Sequence, residues 1–160
     1  MATTEPAIAI ELARRADVRA IARGSRDLIE RGLAWSWVPG RVDASRRSTT
    51  ALVVVARAPG RLAGFAIMRY GDDDAHLDLL GVDPRDRGRG VGRRLVEWLE
   101  KPALVAGITS VYLEVRESNR DAQGFYERLG YRTLERLEGY YQRRESALRM
   151  WRELGVRAGS

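Results

Sequence analysis

Residues 49–82 carry three strand patterns in succession: TTALVVVAR (49–57), RLAGFAIMRY (61–70) and AHLDLLGV (75–82). APG joins the first two as a hairpin signal, and the polar turn GDDD leads into the third. This run constrains the fold more than any other stretch. AIAIELA (7–13) alternates and reads as a further strand. ADVRAIARGSRDLIERG (16–32) places Val18, Ile21, Ala22, Leu28 and Ile29 near helical spacing, interrupted by Gly24. LAWSWVPGRV (33–42), with Pro39 and Gly40, predicts a loop entering a short helix.

Beyond the three strands, DPRDRGRGVGRRL (83–95) opens a helix with Val91, Leu95, Trp98 and Leu99 on one face. Pro102 is expected to kink or end it, because proline lacks the intrahelical donor. SVYLEVR (110–116) alternates, putting Val111, Leu113 and Val115 on one face and Tyr112, Glu114 and Arg116 on the other. SNRDAQGFYERLG (118–130) reads as a short helix with Ser118 and Asp121 as an N-cap pair and Gly130 at its end. YRTLERL (131–137) and SALRMWREL (146–154) read as strands separated by EGYYQRR. The order β-α-α-β-β-β-α-β-α-β-β is a mixed α/β domain, expected to be single over 1–160 with frayed ends at 1–5 and 155–160.

Cysteine is absent, which excludes disulfides, thiolate metal sites and cysteine nucleophiles. With a single histidine as well, no metal is expected, and the acidic 72–74 lacks the remaining positions of a calcium loop. The net charge of +6 invites a nucleic-acid reading, but the arginines are spread through every segment, so no specific nucleic acid is expected. No signal-peptide pattern opens the chain, and no apolar run approaches the ~18 residues that cross a bilayer. A soluble, cytoplasmic protein without a membrane partner is the expectation.

Gly88, Gly90 and Gly92 alternate within a segment that carries Arg85, Arg87, Arg89, Arg93 and Arg94. A P-loop would end in Gly-Lys-Ser or Gly-Lys-Thr, and a dinucleotide fingerprint would need glycine where Arg93 stands. What remains is a strand feeding a tight turn at a helix start. Glycines there let backbone approach a ligand, the helix N-terminus favours an anion, and Arg87, Arg89, Arg93 and Arg94 supply counter-charge. That combination suits a pyrophosphate.

VDPRDRGRGVGRRL resembles the acetyl-CoA motif of the GCN5-related N-acetyltransferases (the GNAT family), matched by Arg87, Gly90 and Gly92. YLEVRESNRDAQGFYERLGYR (112–132) is similar to the second half of that family's core. Within it Asn119, Ala122 and Tyr126 share one helix face. Among family members the pattern is closest to ribosomal-protein alanine N-acetyltransferases, through LEVR, the Tyr140–Tyr141 pair and ESALRM. The likeness is good over 77–151 and weak before it, where the Trp35 region matches loosely.

The resemblance implies a mostly antiparallel sheet of about seven strands with about four helices, splayed between the fourth and fifth strands. It implies acetyl-CoA as cosubstrate and Glu114 as general base, with Asp78 and Glu117 as weaker substitutes; the alternative for Glu114 is a partner for a nearby arginine. Tyr126 matches the general acid, and Asn119 a hydrogen-bonding partner of the cofactor arm or else a helix cap. Leu80, Gly81 and Val82 match the strand end that meets the pantetheine, with Gly81 a candidate bulge. Val91 and Gly88 complete the cofactor turn. Trp35, Trp37, Tyr140 and Tyr141 either wall the acceptor site or belong to the core, and His76 reads as structural. The activity implied is direct acetyl transfer to a primary amine, first of all a protein N-terminus, by a monomer or homodimer. The alternatives are a small-molecule amine acceptor or a CoA-binding module without turnover.

Overall fold

A computed structural model describes residues 7–155. The frayed ends expected from the sequence lie outside these residues, Gly155 excepted. In chain order the elements are β1 (Ala9–Leu12), α1 (Val18–Gly24), α2 (Pro39–Arg47), β2 (Ala51–Ala58), β3 (Arg61–Tyr70) and β4 (Asp74–Val82). There follow α3 (Val91–Val105), β5 (Ser110–Arg116), α4 (Arg120–Arg128), β6 (Arg132–Tyr141) and β7 (Glu145–Glu153). The order of strands and helices is the expected one. The sheet has seven strands in the order β1-β2-β3-β4-β5-β7-β6. β1–β2, β5–β7 and β6–β7 are antiparallel, whereas β4 and β5 are parallel. That parallel ladder runs only from Asp74↔Ser110 to His76↔Tyr112, and the sheet opens beyond it. No helix among the described residues is long and apolar enough to cross a membrane.

The chain gathers into two compact units, neither continuous in sequence. The first holds the described residues up to Met68 together with Leu79–Leu99. Its core packs Val18, Ile21 and Ala22 of α1 and Val42 of α2 against Val53, Val55, Phe65, Ile67 and Leu79. Burying a side chain such as Ile21 or Ile67 stabilises the fold by roughly 1.5–3 kcal/mol. Past Gly24 the helix widens into a π-type turn, Ser25–Ile29. The buried Glu30 then accepts hydrogen bonds from the Ser25 hydroxyl (2.8 Å) and the Ser36 amide (2.8 Å), which ties down the loop ahead of α2.

Phe65 explains two glycines. A β-carbon on Gly81 would lie 2.5 Å from the Phe65 ring, and one on Gly24 equally close. Gly81 therefore makes room for an aromatic ring, where the sequence suggested a bulge. Gly81→Ala is expected to destabilise the protein by about 1–3 kcal/mol, the usual cost of overpacking. Chemical denaturation reads this directly, and an unchanged midpoint would show that the ring can yield.

The second unit holds Arg69–Asp78 and the described residues from Glu100 onward. Val111, Leu113 and Val115 of β5 are buried while Tyr112, Glu114 and Arg116 are half-buried, the predicted alternation. α3 does not end at Pro102 but continues to Val105, and the Ala106 N–H reaches the Pro102 carbonyl at 3.0 Å. One missing donor costs one hydrogen bond, and the flanking turns carry the helix past it. The N-cap of α4 is Asn119, whose Oδ1 accepts the Ala122 N–H at 3.1 Å. Ser118, expected in that role, instead donates its hydroxyl to Glu145 of β7, a partner remote in sequence. β6 runs through Gly139–Tyr141, so half of the expected EGYYQRR connection is strand. The chain reverses over Gln142 and Arg143, both in the left-handed region (φ 54° and 60°). Neither is a glycine, so the turn left no compositional mark. Buried Glu100 is satisfied by the Tyr131 hydroxyl (2.9 Å) and Arg152 Nη1 (2.9 Å).

Candidate active site

In the first unit, β4 ends at Val82 and a 3-10 turn, Pro84–Asp86, follows, with Asp83 accepting the Arg85 N–H at 2.9 Å. The Asp86 side chain has no exposed surface; it takes hydrogen bonds from Arg61 Nη2 (2.9 Å) and Arg89 Nη1 (3.0 Å). Arg61, by its hydrogen bond, and Arg89 hold its carboxyl below the usual carboxylate range. This carboxylate staples the turn. Gly88 (φ 76°) and Gly90 (φ 78°) are left-handed, a conformation that residues with a β-carbon avoid. A β-carbon at either would meet nothing within 4 Å, so the backbone and not crowding demands glycine, and the space beside it is open.

At the start of α3 the Arg94 N–H bonds the Gly90 carbonyl at 3.0 Å; amides ahead of it have no acceptor within the helix. Three of the arginines expected to supply counter-charge are engaged. Arg89 holds Asp86, Arg93 lies 3.6 Å from Glu97, and Arg94 donates to the Ile8 carbonyl at 2.8 Å. Arg87 is exposed and makes no ion pair among the described residues. Val91 is buried in the core, Leu80 and Val82 are half-buried, and Gly81 faces Phe65.

In the second unit Glu114 is the centre of a network. Its carboxylate lies 2.8 and 3.0 Å from His76 Nε2, accepts the Tyr140 hydroxyl at 2.9 Å and lies 3.5 Å from Arg149 Nε. Burial works to raise its pKa, but hydrogen bonds and charge from His76, Tyr140 and Arg149 outweigh this and hold it below the ordinary value. His76 Nδ1 in turn faces Asp78 at 2.5 Å, and Arg69 Nε grips Asp78 at 2.7 and 3.0 Å. Burial disfavours a charged imidazole, yet the two carboxylates push His76 up to about 9. Such a carboxylate is anionic at neutral pH and is held from three sides.

Tyr126 lies buried on α4, its ring edge-on to Phe125 (5.1 Å) and Tyr131 (5.8 Å). Burial pushes its phenol well above the usual range, so it stays protonated, as a proton donor must. Asn119 spends its carbonyl oxygen on the α4 cap. Glu117 is half-buried and pairs with Arg136 at 2.7 Å. Of the aromatic candidates, Tyr140 touches Glu114, and Tyr141 stacks edge-on to Tyr140 at 5.0 Å. Trp37 is buried beneath Arg41, and the Trp35 indole N–H donates to the Ala22 carbonyl at 3.0 Å. Both belong to the packing of the first unit.

Sequence reasoning did not find the partners of His76, Arg69 and Asp86. Alternation along β4 puts His76 and Asp78 on one face, but only strand pairing brings Glu114, 38 residues away, against them.

The family model for the acetyltransferase (GNAT) family matches residues 17–131. The chain belongs to the GNAT family. Over 84 residues this GNAT chain is 39% identical to the ribosomal protein bS18-alanine N-acetyltransferase of Salmonella typhimurium, covering 52% of the chain and 57% of that relative. It spans about 60% of the length of the curated relatives it matches. The structure of the ribosomal-protein-S18-alanine N-acetyltransferase from Escherichia coli superposes with a TM-score of 0.79 at 27% identity, over 96% of this chain and 98% of that one. Ard1 from Thermoplasma volcanium gives 0.79 at 26% identity, over 91% and 97%.

Proposed function

We propose that this GNAT chain is an acetyl-CoA-dependent N-acetyltransferase that passes the acetyl group directly to a primary amine, a protein N-terminal amine first among them. The reading is carried by the turn ahead of α3. Two left-handed glycines with open space beside them, an exposed Arg87 that makes no ion pair among the described residues, and helix-start amides fit a diphosphate. Bound there, acetyl-CoA supplies a thioester-activated acetyl group.

The chain's own residues supply the rest. Glu114, ionised and held by His76, Tyr140 and Arg149, attracts the acceptor ammonium and accepts the proton it sheds, passing it to solvent. The neutral amine then forms the new C–N bond as the thioester C–S bond breaks. Tyr126, kept neutral by burial, donates a proton to the departing thiolate. Direct transfer needs no nucleophile on the protein, consistent with a chain that has no cysteine. The identity to a bS18-alanine N-acetyltransferase supports an N-terminal amine as acceptor.

The test is release of free CoA from acetyl-CoA across a panel of N-terminal peptides and small amines. Turnover with alanine-starting peptides is expected, and Tyr126→Phe should lower kcat by about 10- to 100-fold with KM for the peptide little changed. Turnover confined to small amines replaces the acceptor. Binding of CoA with no turnover on any amine replaces the activity.

A further inference from the structure

His76 sits where two carboxylates converge. Asp78 Oδ1 lies 2.5 Å from Nδ1, and the Glu114 oxygens lie 2.8 and 3.0 Å from Nε2. A neutral imidazole has a single N–H, so one of its nitrogens would turn a lone pair toward a carboxylate. Both contacts are hydrogen bonds only in the imidazolium. Asp78 is itself gripped by Arg69, whose Nη2 lies 3.4 Å from Nδ1. Arg69 on β3, Asp78 and His76 on β4 and Glu114 on β5 thus form one unbroken chain of contacts. Among the described residues Glu114 is also faced by the Tyr140 hydroxyl from β6, by Arg149 from β7, which pairs with Glu135 at 2.9 Å, and at longer range by the Tyr141 phenol of β6. The side chains of Asp78 and Glu114 are 6% and 7% exposed, so solvent screens these contacts little.

We propose that His76 is a positioning residue for Glu114: anchored by Asp78 and Arg69, its imidazolium keeps the carboxylate ionised and in one orientation toward the acceptor amine. This rests on the reading of Glu114 as the group that meets that amine. A carboxylate held so is a weaker proton acceptor than a solvated one. What the imidazolium contributes is ionisation and orientation: it keeps Glu114 anionic and holds its oxygens in one place, so that one of them meets the incoming ammonium and relays its proton to solvent.

His76 is the only histidine of the sequence, so its ring resonances are unambiguous. In an NMR pH titration of the isotope-labelled full chain, both ring nitrogens are expected to carry protons at pH 7, with a midpoint at about 9. The midpoint should fall toward ~6.5, the unperturbed value, in Glu114→Gln and in Asp78→Asn. A wild-type midpoint near ~6.5 with one protonated nitrogen overturns the proposal, and it needs neither substrate nor turnover to do so.

Kinetically, His76→Gln should lower kcat by about 10- to 100-fold and move the acid limb of the pH profile up toward the ordinary carboxylate range, with KM for acetyl-CoA unchanged. If Glu114→Gln loses turnover while His76→Gln keeps the wild-type pH profile, the role of His76 fails and that of Glu114 stands. Full turnover in Glu114→Gln overturns the reading of Glu114, and the positioning role with it.

Discussion

Glu114→Gln is expected to lower kcat by ~100-fold or more, the usual scale for removing a positioned acid–base group, with KM for acetyl-CoA nearly unchanged. Glutamine keeps the size of the side chain and an oxygen for the Tyr140 hydroxyl, so the loss reads the charge and not the shape. It leaves His76 and Arg149 without their shared anion; their side chains are 29% and 34% exposed, so water partly compensates and the fold should survive. Circular dichroism and a thermal melt check that it does.

The pH profile carries a sign. Because the folded state holds the Glu114 carboxyl below its ordinary value, the group is ionised throughout the neutral range. Its contribution to stability is present above the unfolded pKa and is lost as pH falls through the folded one. The acid limb owed to Glu114 therefore lies below the ordinary ~4.3, and kcat/KM rises further as the acceptor amine loses its own proton near ~8. An acid limb near ~6 would contradict the ion-paired state. Retention of wild-type kcat in Glu114→Gln would remove Glu114 from the chemistry.

Asp86→Ala is expected to cost about 2 kcal/mol of stability and to raise the KM for acetyl-CoA several-fold. The carboxylate has no exposed surface and joins Arg61 to Arg89, so its loss frees the turn that precedes Gly88 and Gly90. A fully buried pair would cost ~3–5 kcal/mol when broken, but the two arginines are about a third exposed and water receives them. In a chain of this size that corresponds to a fall in Tm of roughly 4–8 °C. Wild type should also lose stability as pH falls through the depressed Asp86 pKa, a loss that the variant lacks. Differential scanning calorimetry and CoA titration measure the two effects separately. A variant with unchanged Tm and unchanged affinity would show that the staple is not what shapes the turn.

Much of this was legible in the residues because the signals are local. Alternation in SVYLEVR set Glu114 on the half-buried face of β5, and the spacing of Val18, Ile21 and Ala22 set the buried face of α1. The positive φ of Gly88 and Gly90 answers to glycine's own freedom, which the pattern already implied. Where a local signal met a remote partner, the sequence misled. Ser118 is a good cap by propensity, yet Glu145 claims its hydroxyl and Asn119 caps instead. His76, flanked by Ala75 and Leu77, carried no mark of Glu114, because that contact exists only once β4 and β5 pair in parallel.

By itself, then, the chain determined its elements, their order and the motif ahead of α3, all of which depend on neighbours within a few residues. Only the tertiary structure decided which charges meet: Arg69 with Asp78, His76 with Glu114, Asp86 with Arg61. The protonation of a group is set by the charges and solvent within a few ångströms of it, and those come from strands distant in sequence.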